Sequence, residues 1–299
     1  MTASREPIAI VGLGAVGTAL AHACAAADYP VAAVASRSPA RAAALAALVG
    51  AEATTISEAA RTAPLVALTV SDDAIEDAAA QLGEVEGRLV FHTSGARPAS
   101  ILAPLSARGA RVGAMHPLAA IAARTGPAAR AQYAAMFRGA SVAIDAEPSA
   151  RERLNALATA LGGRPFAIDA SQKASYHLGA AVVAGFSVAL ADLADQEWRG
   201  AGIPDEVTHA GLAHLLRSVA DNLAASPSPA AALTGPIVRG DVDAVARQAA
   251  AARALPGPAA ALYRAHTAHL IAIAYRASRI STDTARRLTQ VLHDSFETP

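Results

Sequence analysis

Two hydrophobic patterns divide this chain. Up to about residue 168, short apolar runs recur, each closed by Gly, Ser, Thr, Asp or His and separated by alanine-rich stretches. Short runs that are apolar throughout suit strands buried on both faces of a parallel sheet. They predict strands at 8–11, 31–35, near 53–55, 64–70, 88–91, 111–115, 140–144 and 165–168. The first intervening helices are expected at 18–27, at 40–50 and from Ser57. From Ser171 onward the period turns helical, over 171–199, 204–224, 241–254, 258–278 and 282–295. Ser171 reads as an N-cap, Pro204 as a first-turn residue, and Gly200 and Gly202 as stops. The segments 226–229 and 255–258, rich in Ser and Pro or Gly and Pro, read as loops between helices.

The first strand breaks into Gly12-Leu13-Gly14-Ala15-Val16-Gly17 and then into a helix. In a Gly-x-Gly-x-x-Gly bend the first glycine permits the turn, the second lets a pyrophosphate approach, and the third lets helix and strand pack closely. The free N–H groups at the helix start favour an anion. The expected fold class is therefore α/β. A Rossmann-like doubly wound parallel sheet over 1–169 binds a dinucleotide, and an all-α helical domain follows over 170–299.

The second strand ends at Ser36-Arg37-Ser38, where an NAD-binding chain usually carries an acidic residue for the ribose. A guanidinium between two hydroxyls suits a 2′-phosphate, so NADP is expected over NAD. Val70, Ser71, Asp72 and Thr93 follow later strands on the edge where ligands sit, with Ser71 or Asp72 also able to cap the next helix. Two strands on that edge run into His92-Thr93-Ser94-Gly95 and His116-Pro117-Leu118, placing Ser94 and His116 where a substrate would meet a nicotinamide.

Lys173 and His177 lie four apart at the start of the long helix, with Tyr176 beside them in apolar surroundings. Burial lowers a lysine's pKa and suits it to proton transfer. Thr234, Arg239 and Asp241, in a Gly/Pro-fixed loop, are candidates for a substrate carboxylate, although Asp241 also suits a helix cap.

Composition narrows the field. The 299 residues carry 25 basic and 25 acidic side chains, which argues against nucleic acid or an anionic membrane as partner. Aromatics at 4% offer little surface for stacking bases. Cys24, the one cysteine, rules out an internal disulfide and is expected to be a packed, inert thiol. The residues before the first strand lack a signal-peptide apolar region, and the apolar stretch 178–191 is short for a bilayer. A cytoplasmic location is the expectation. His209 with His214 and His266 with His269 lack accompanying carboxylates or thiols, so no metal is expected.

Taken in order, the glycine bend, the two His turns, Lys173-x-x-Tyr176-His177 and Leu-Thr234-Gly-Pro-Ile-Val-Arg239-Gly-Asp241 resemble the Rossmann-like oxidoreductases with a helical C-terminal domain of unknown function. That group is akin to pyrroline-5-carboxylate reductases, ketopantoate reductases and β-hydroxyacid dehydrogenases. In the last of these, a helix after the cofactor domain carries a catalytic Lys with Asn four residues on. Lys173 matches the Lys, and His177 stands in the Asn position. Gly185 departs from an asparagine common in the family's long helix. The resemblance implies hydride transfer between NADP and a small carbonyl or imine compound bearing a carboxylate. It casts Lys173 as general acid, His177 as orienting or relaying group and Arg239 as anion anchor, with a homodimer formed through the helical domain. The competing reading is an NADP(H)-binding sensor or scaffold without turnover.

Overall fold

The computed structural model describes residues 5–124, 128–255 and 257–297. Residues 1–4 of the N-terminal lead and Pro256 of the 255–258 loop lie outside them. The chain forms two compact units, Met1–Ala184 and Gly185–Pro299.

The first unit is built on β1 Ile8–Val11, β2 Val31–Ala35, β3 Glu52–Thr54, β4 Leu65–Leu68, β5 Leu89–His92, β6 Arg111–Pro117, β7 Ser141–Ala146 and β8 Arg164–Ala167. They lie in the order β3-β2-β1-β4-β5-β6-β7-β8. The strands β1 to β6 pair in parallel, in the order of doubly wound dinucleotide folds. The expected doubly wound parallel sheet is present with one exception: β7 runs antiparallel to β6, and β8 follows β7 in parallel. This antiparallel ladder also corrects the expected end of β6. His116 pairs with Ala143 and Pro117 with Val142, so His116 lies in the strand, not in a turn after it.

Alternate strand residues face opposite sides, as the period of two requires. Ile8, Ile10, Leu65, Ala67, Leu89 and Phe91 enter one core, which also takes residues of helices Ala15–Ala26, Pro39–Val49 and Pro148–Ala160. Ala9, Val11, Val66, Leu68 and Val90 enter the other, beneath helices Ile56–Thr62 and Ile75–Gln81. Cys24 is buried in the first core, and that burial pushes its thiol up to about 12, leaving an inert group.

The long helix Lys173–Gly200 begins after a capping box in which Asp169 and Gln172 satisfy each other's backbone N–H groups. Asp169 is therefore the cap expected at Ser171. The units divide inside this helix rather than at 169/170. Its first turns carry Lys173 and Tyr176 into contact with Ser94 and His116 of the first unit.

In the second unit, Ile237, Val245, Ala249, Ile271, Ala274, Leu288 and Leu292 form a core. They come from helices Pro236–Arg239, Val242–Arg253, Ala259–Arg276 and Thr282–Glu297. Helix Asp205–Ala225 buries only Thr208 among its residues and exposes Val207, Leu215, Leu216, Val219 and Leu223. The helical run Ala170–Gly200 counts 31 residues, with a mean hydropathy of 1.6 in its most apolar 18-residue window. By length and composition it could cross a bilayer, unlike the shorter 178–191 stretch considered alone, because helix continues on both sides of the apolar segment.

Candidate functional site

The bend after β1 is shaped by what its glycines exclude. Gly12 has φ +95°, and a Cβ there would meet Val70 Cγ1 at 2.6 Å and the Thr69 carbonyl carbon at 2.9 Å. A Cβ on Gly17 would strike the Gly12 carbonyl oxygen and Thr69 Oγ1. A Cβ on Gly14 would meet nothing within 4 Å, so the start of helix Ala15–Ala26 is open to a ligand. Thr69, which the sequence reading missed, fastens this bend. Its hydroxyl lies 2.5 Å from Gly12 O and 3.1 Å from Val11 O, and its N–H donates to Val11 O at 2.8 Å. The only sequence signal was a hydroxyl closing an apolar strand.

A cavity of about 490 Å³ opens against this bend, lined by Gly12, Leu13, Gly14, Ser36, Arg37, Thr69, Val70 and Ser71 among others. Arg41 also lines it, a second guanidinium that the sequence reading missed. Ala15, Gly17 and Ser38 were expected at the cofactor but lie outside this lining. Gly17 packs the bend, and Ser38 caps helix Pro39–Val49 by accepting from the Arg41 N–H at 3.3 Å. Ser36 Oγ accepts from the Ser38 N–H at 3.2 Å, so both hydroxyls shape the turn that carries Arg37. Ser71 occupies the cap position of the short turn Asp72–Ala74 without a side-chain cap bond, so capping by Ser71 or Asp72 is not realised.

Thr69 and Val70 also line a second cavity, of about 340 Å³, together with Val16, Asp72, Thr93, Ser94, Gly95, His116 and His177. His92 holds the Ser94 turn that lines it. Fully buried, its Nδ1 accepts from the Ser94 N–H at 3.2 Å while Nε2–H donates to Pro98 O at 3.1 Å. Burial pushes this imidazole down to about 4, so it stays neutral and fixes the turn. Ser94 Oγ accepts from the Ala96 and Arg97 N–H groups at 3.2 and 3.0 Å, so the hydroxyl expected at a nicotinamide braces its own turn.

Helix Lys173–Gly200 delivers the other polar groups. Lys173 is 2% exposed, and its Nζ donates to Ser94 O at 3.3 Å. Burial lowers its pKa, opposed by Asp145 and Asp72. It props the turn from behind and is not among the residues lining the cavity. Tyr176 Oη lies 2.8 Å from His116 Nδ1, and burial pushes its phenol up to about 12. His116 is held down at about 4, first by burial and then by His177 and Lys173, with Asp72 opposing. The rings of His116 and His177 meet edge to face at 5.9 Å. Nδ1 of His177 is buried with no hydrogen-bond partner among the described residues. The structure thus brings Ser94, His116, Lys173, Tyr176 and His177 together. The sequence placed His92 and Gly95 in this turn, but not the hydrogen bonds of the one or the close approach of the other to two histidine rings, since both depend on packing across the sheet.

The remaining candidates lie in the second unit. Asp241 caps helix Val242–Arg253 by accepting from the Ala244 N–H at 2.9 Å. Thr234 and Arg239 are exposed, and no ion pair joins Arg239 to Asp241 among the described residues.

Comparison with known proteins bears on the architecture. The family model of a Rossmann-like domain matches residues 1–117, and that of a domain of unknown function (DUF2520) matches residues 140–270. No curated protein matches the chain. Among solved structures, a candidate NADP oxidoreductase from Bacteroides fragilis is 21% identical with a TM-score of 0.64, over 98% of this chain and 99% of that one. A reductive aminase from Aspergillus terreus, solved with cyclohexanone and allyl amine, is 19% identical with a TM-score of 0.59, over 98% and 94%. An imine reductase from Myxococcus stipitatus, in complex with NADP+, is 16% identical with a TM-score of 0.57, over 97% and 93%. At these identities the likeness speaks for a shared fold.

Proposed function

We propose that this chain, a Rossmann-like domain joined to a domain of unknown function (DUF2520), is an NADP-dependent oxidoreductase acting on a small carbonyl or imine compound. One observation carries the reading: two cavities share Thr69 and Val70, one bounded by the glycine bend and two arginines, the other by imidazoles kept neutral or unpartnered. The fit to a dinucleotide rests on the open space at Gly14 and on Arg37 and Arg41 beside the end of β2. Gly12, Leu13 and Gly14 would hold the pyrophosphate, and Arg37 with Arg41 a 2′-phosphate. When bound, the nicotinamide supplies the hydride. Names of similar structures, an NADP oxidoreductase, a reductive aminase and an imine reductase, support this class of chemistry.

The chain's own contribution is orientation and hydrogen bonding at the second cavity. Lys173 and His92 hold the Ser94–Gly95 turn from two sides, and His116 and His177 present ring nitrogens beside it. The helical half is proposed to be covered by a second copy of the chain. Leu178, Val183, Phe186 and Val188 are each more than half exposed on one helix, an apolar surface of the kind that marks association.

The test is fluorescence titration with NADPH and NADH, followed by NADPH oxidation against a panel of ketones, aldehydes and cyclic imines. NADPH binding with turnover on at least one panel member is expected, and Arg37→Ala should weaken NADPH roughly 10- to 100-fold while leaving NADH unchanged. Tight binding without turnover on any compound would favour the sensor instead.

A further inference from the structure

The second cavity carries its charge on one side only. None of the chain's 25 lysines and arginines lines it, and Asp72 is the one acidic residue that does. That carboxylate forms no ion pair and no cap bond among the described residues. It acts inward nonetheless. Asp72 and Asp145 both act on the fully buried His92, but of the two only Asp72 acts on His116, which lines the cavity.

The one lysine or arginine that acts on His116 sits where it cannot meet a ligand. Lys173, the only lysine in the sequence, is 2% exposed, with its Nζ on the Ser94 carbonyl behind the turn. Its Nζ faces two carboxylates, Asp145 and Asp72, so even as an ammonium it leaves one negative charge in excess. His116 does not make up the difference, because burial holds its imidazole near 4 and therefore neutral at pH 7. A cleft with poorly polarisable walls focuses the field of the charges it holds. A cation entering this space is drawn to Asp72, whereas an anion is repelled and finds no lysine or arginine on the wall to pair with.

We propose that Asp72 makes this cavity selective for a substrate with positively charged nitrogen, an alkylammonium or an iminium ion, and against the carboxylate-bearing compound that the resemblance implies. This rests on reading the cavity as the substrate end of an oxidoreductase site, and it narrows the carbonyl or imine compound of that reading to a cationic one. An oxidised nicotinamide ring is also a cation, so the two sources of charge have to be told apart.

Cyclopentylammonium, cyclopentanol and cyclopentanecarboxylate share a ring and differ in charge. Each is titrated at pH 8 and low ionic strength, where an alkylammonium keeps its proton, into the full chain labelled with ¹⁵N-histidine and free of nucleotide. His116→Asn and His177→Asn assign the two signals that report occupancy. The ammonium should shift both signals at a concentration about tenfold or more below that needed for the carboxylate, with the alcohol between them. In Asp72→Asn, an exposed substitution that should fold as wild type, the three concentrations should converge to within about threefold. A preference for the carboxylate or the alcohol, no response to any of the three, or an ammonium preference that survives in Asp72→Asn would overturn the proposal. The ratio of NADP+ to NADPH affinity should differ by less than about twofold between wild type and Asp72→Asn. A larger change would give the carboxylate to the nicotinamide ring and overturn the proposal as well. A chain that binds no NADPH sinks the oxidoreductase reading, while the titrations without nucleotide still decide this one.

Discussion

The two cavities are made of different material. The one beside the glycine bend is built from backbone: Gly12 takes a conformation other residues resist, Gly17 removes a side chain from a close contact, and Thr69 ties down two carbonyl groups. The one beside Gly95 is built from side chains that converge from β5, β6 and the long helix. A backbone cradle binds what any dinucleotide shares, whereas a side-chain cluster sets which reacting group is admitted. Damage to the first should therefore appear in folding and nucleotide affinity, and damage to the second in turnover.

The largest effect is expected at Gly17. Its added methyl meets the Gly12 carbonyl and Thr69, and backbone cannot move aside cheaply. Gly17→Ala should cost about 1–3 kcal/mol of stability by overpacking and lower NADPH affinity more than roughly 100-fold. Gly14→Ala sharpens the comparison, since the methyl meets no protein atom and only a ligand would feel it. Chemical denaturation of Gly14→Ala should match wild type while NADPH affinity drops about tenfold. A Gly14→Ala protein with unchanged NADPH affinity would remove the pyrophosphate from this bend.

The same contrast explains what was legible in the sequence. The bend is local: strand, three glycines and helix lie within residues 8–26, so spacing alone announced it. The strands were legible because their residues are buried on both faces and therefore apolar throughout. Reversal of β7 was not, because an apolar run carries no direction, and the extra ladder it forms drew His116 into a strand. The sequence marked Lys173 as a proton carrier from its helix position, but only the fold shows its Nζ held on the Ser94 carbonyl, off the cavity wall. Arg41 was overlooked because the first turn of a helix reads as solvated surface until the cavity beside it is seen.

In the second cavity, Gly95→Ala is the matching substitution. Its methyl would displace the rings of His177 and His116 rather than backbone, so the fold should survive. Turnover on an active panel compound should fall about 100-fold, in keeping with the sensitivity of catalysis to misplacement of about an ångström. NADPH affinity, read by the same titration, should stay within about twofold of wild type. A Gly95→Ala protein that keeps full turnover would separate this cavity from the chemistry.

A further effect concerns acid stability, and it falls on the side-chain cavity rather than the backbone cradle. His92 is fully buried and held near 4 in the folded chain, below the ordinary 6.5 that it regains on unfolding. As pH drops below 6.5 the unfolded chain takes up a proton that the folded chain refuses, so stability present above that pH is lost on the way down to about 4. Between pH 7.5 and 5 the loss from this one group amounts to about 2 kcal/mol. His116, lowered by the same cause, adds a loss of the same sign. Urea unfolding at the two pH values measures the difference, and His92→Gln should flatten it by removing the titrating group while keeping a polar side chain at the turn. An equal pH dependence in the variant and wild type would mean that His92 is hydrated and free to charge, and that the turn it holds is not the closed structure described above.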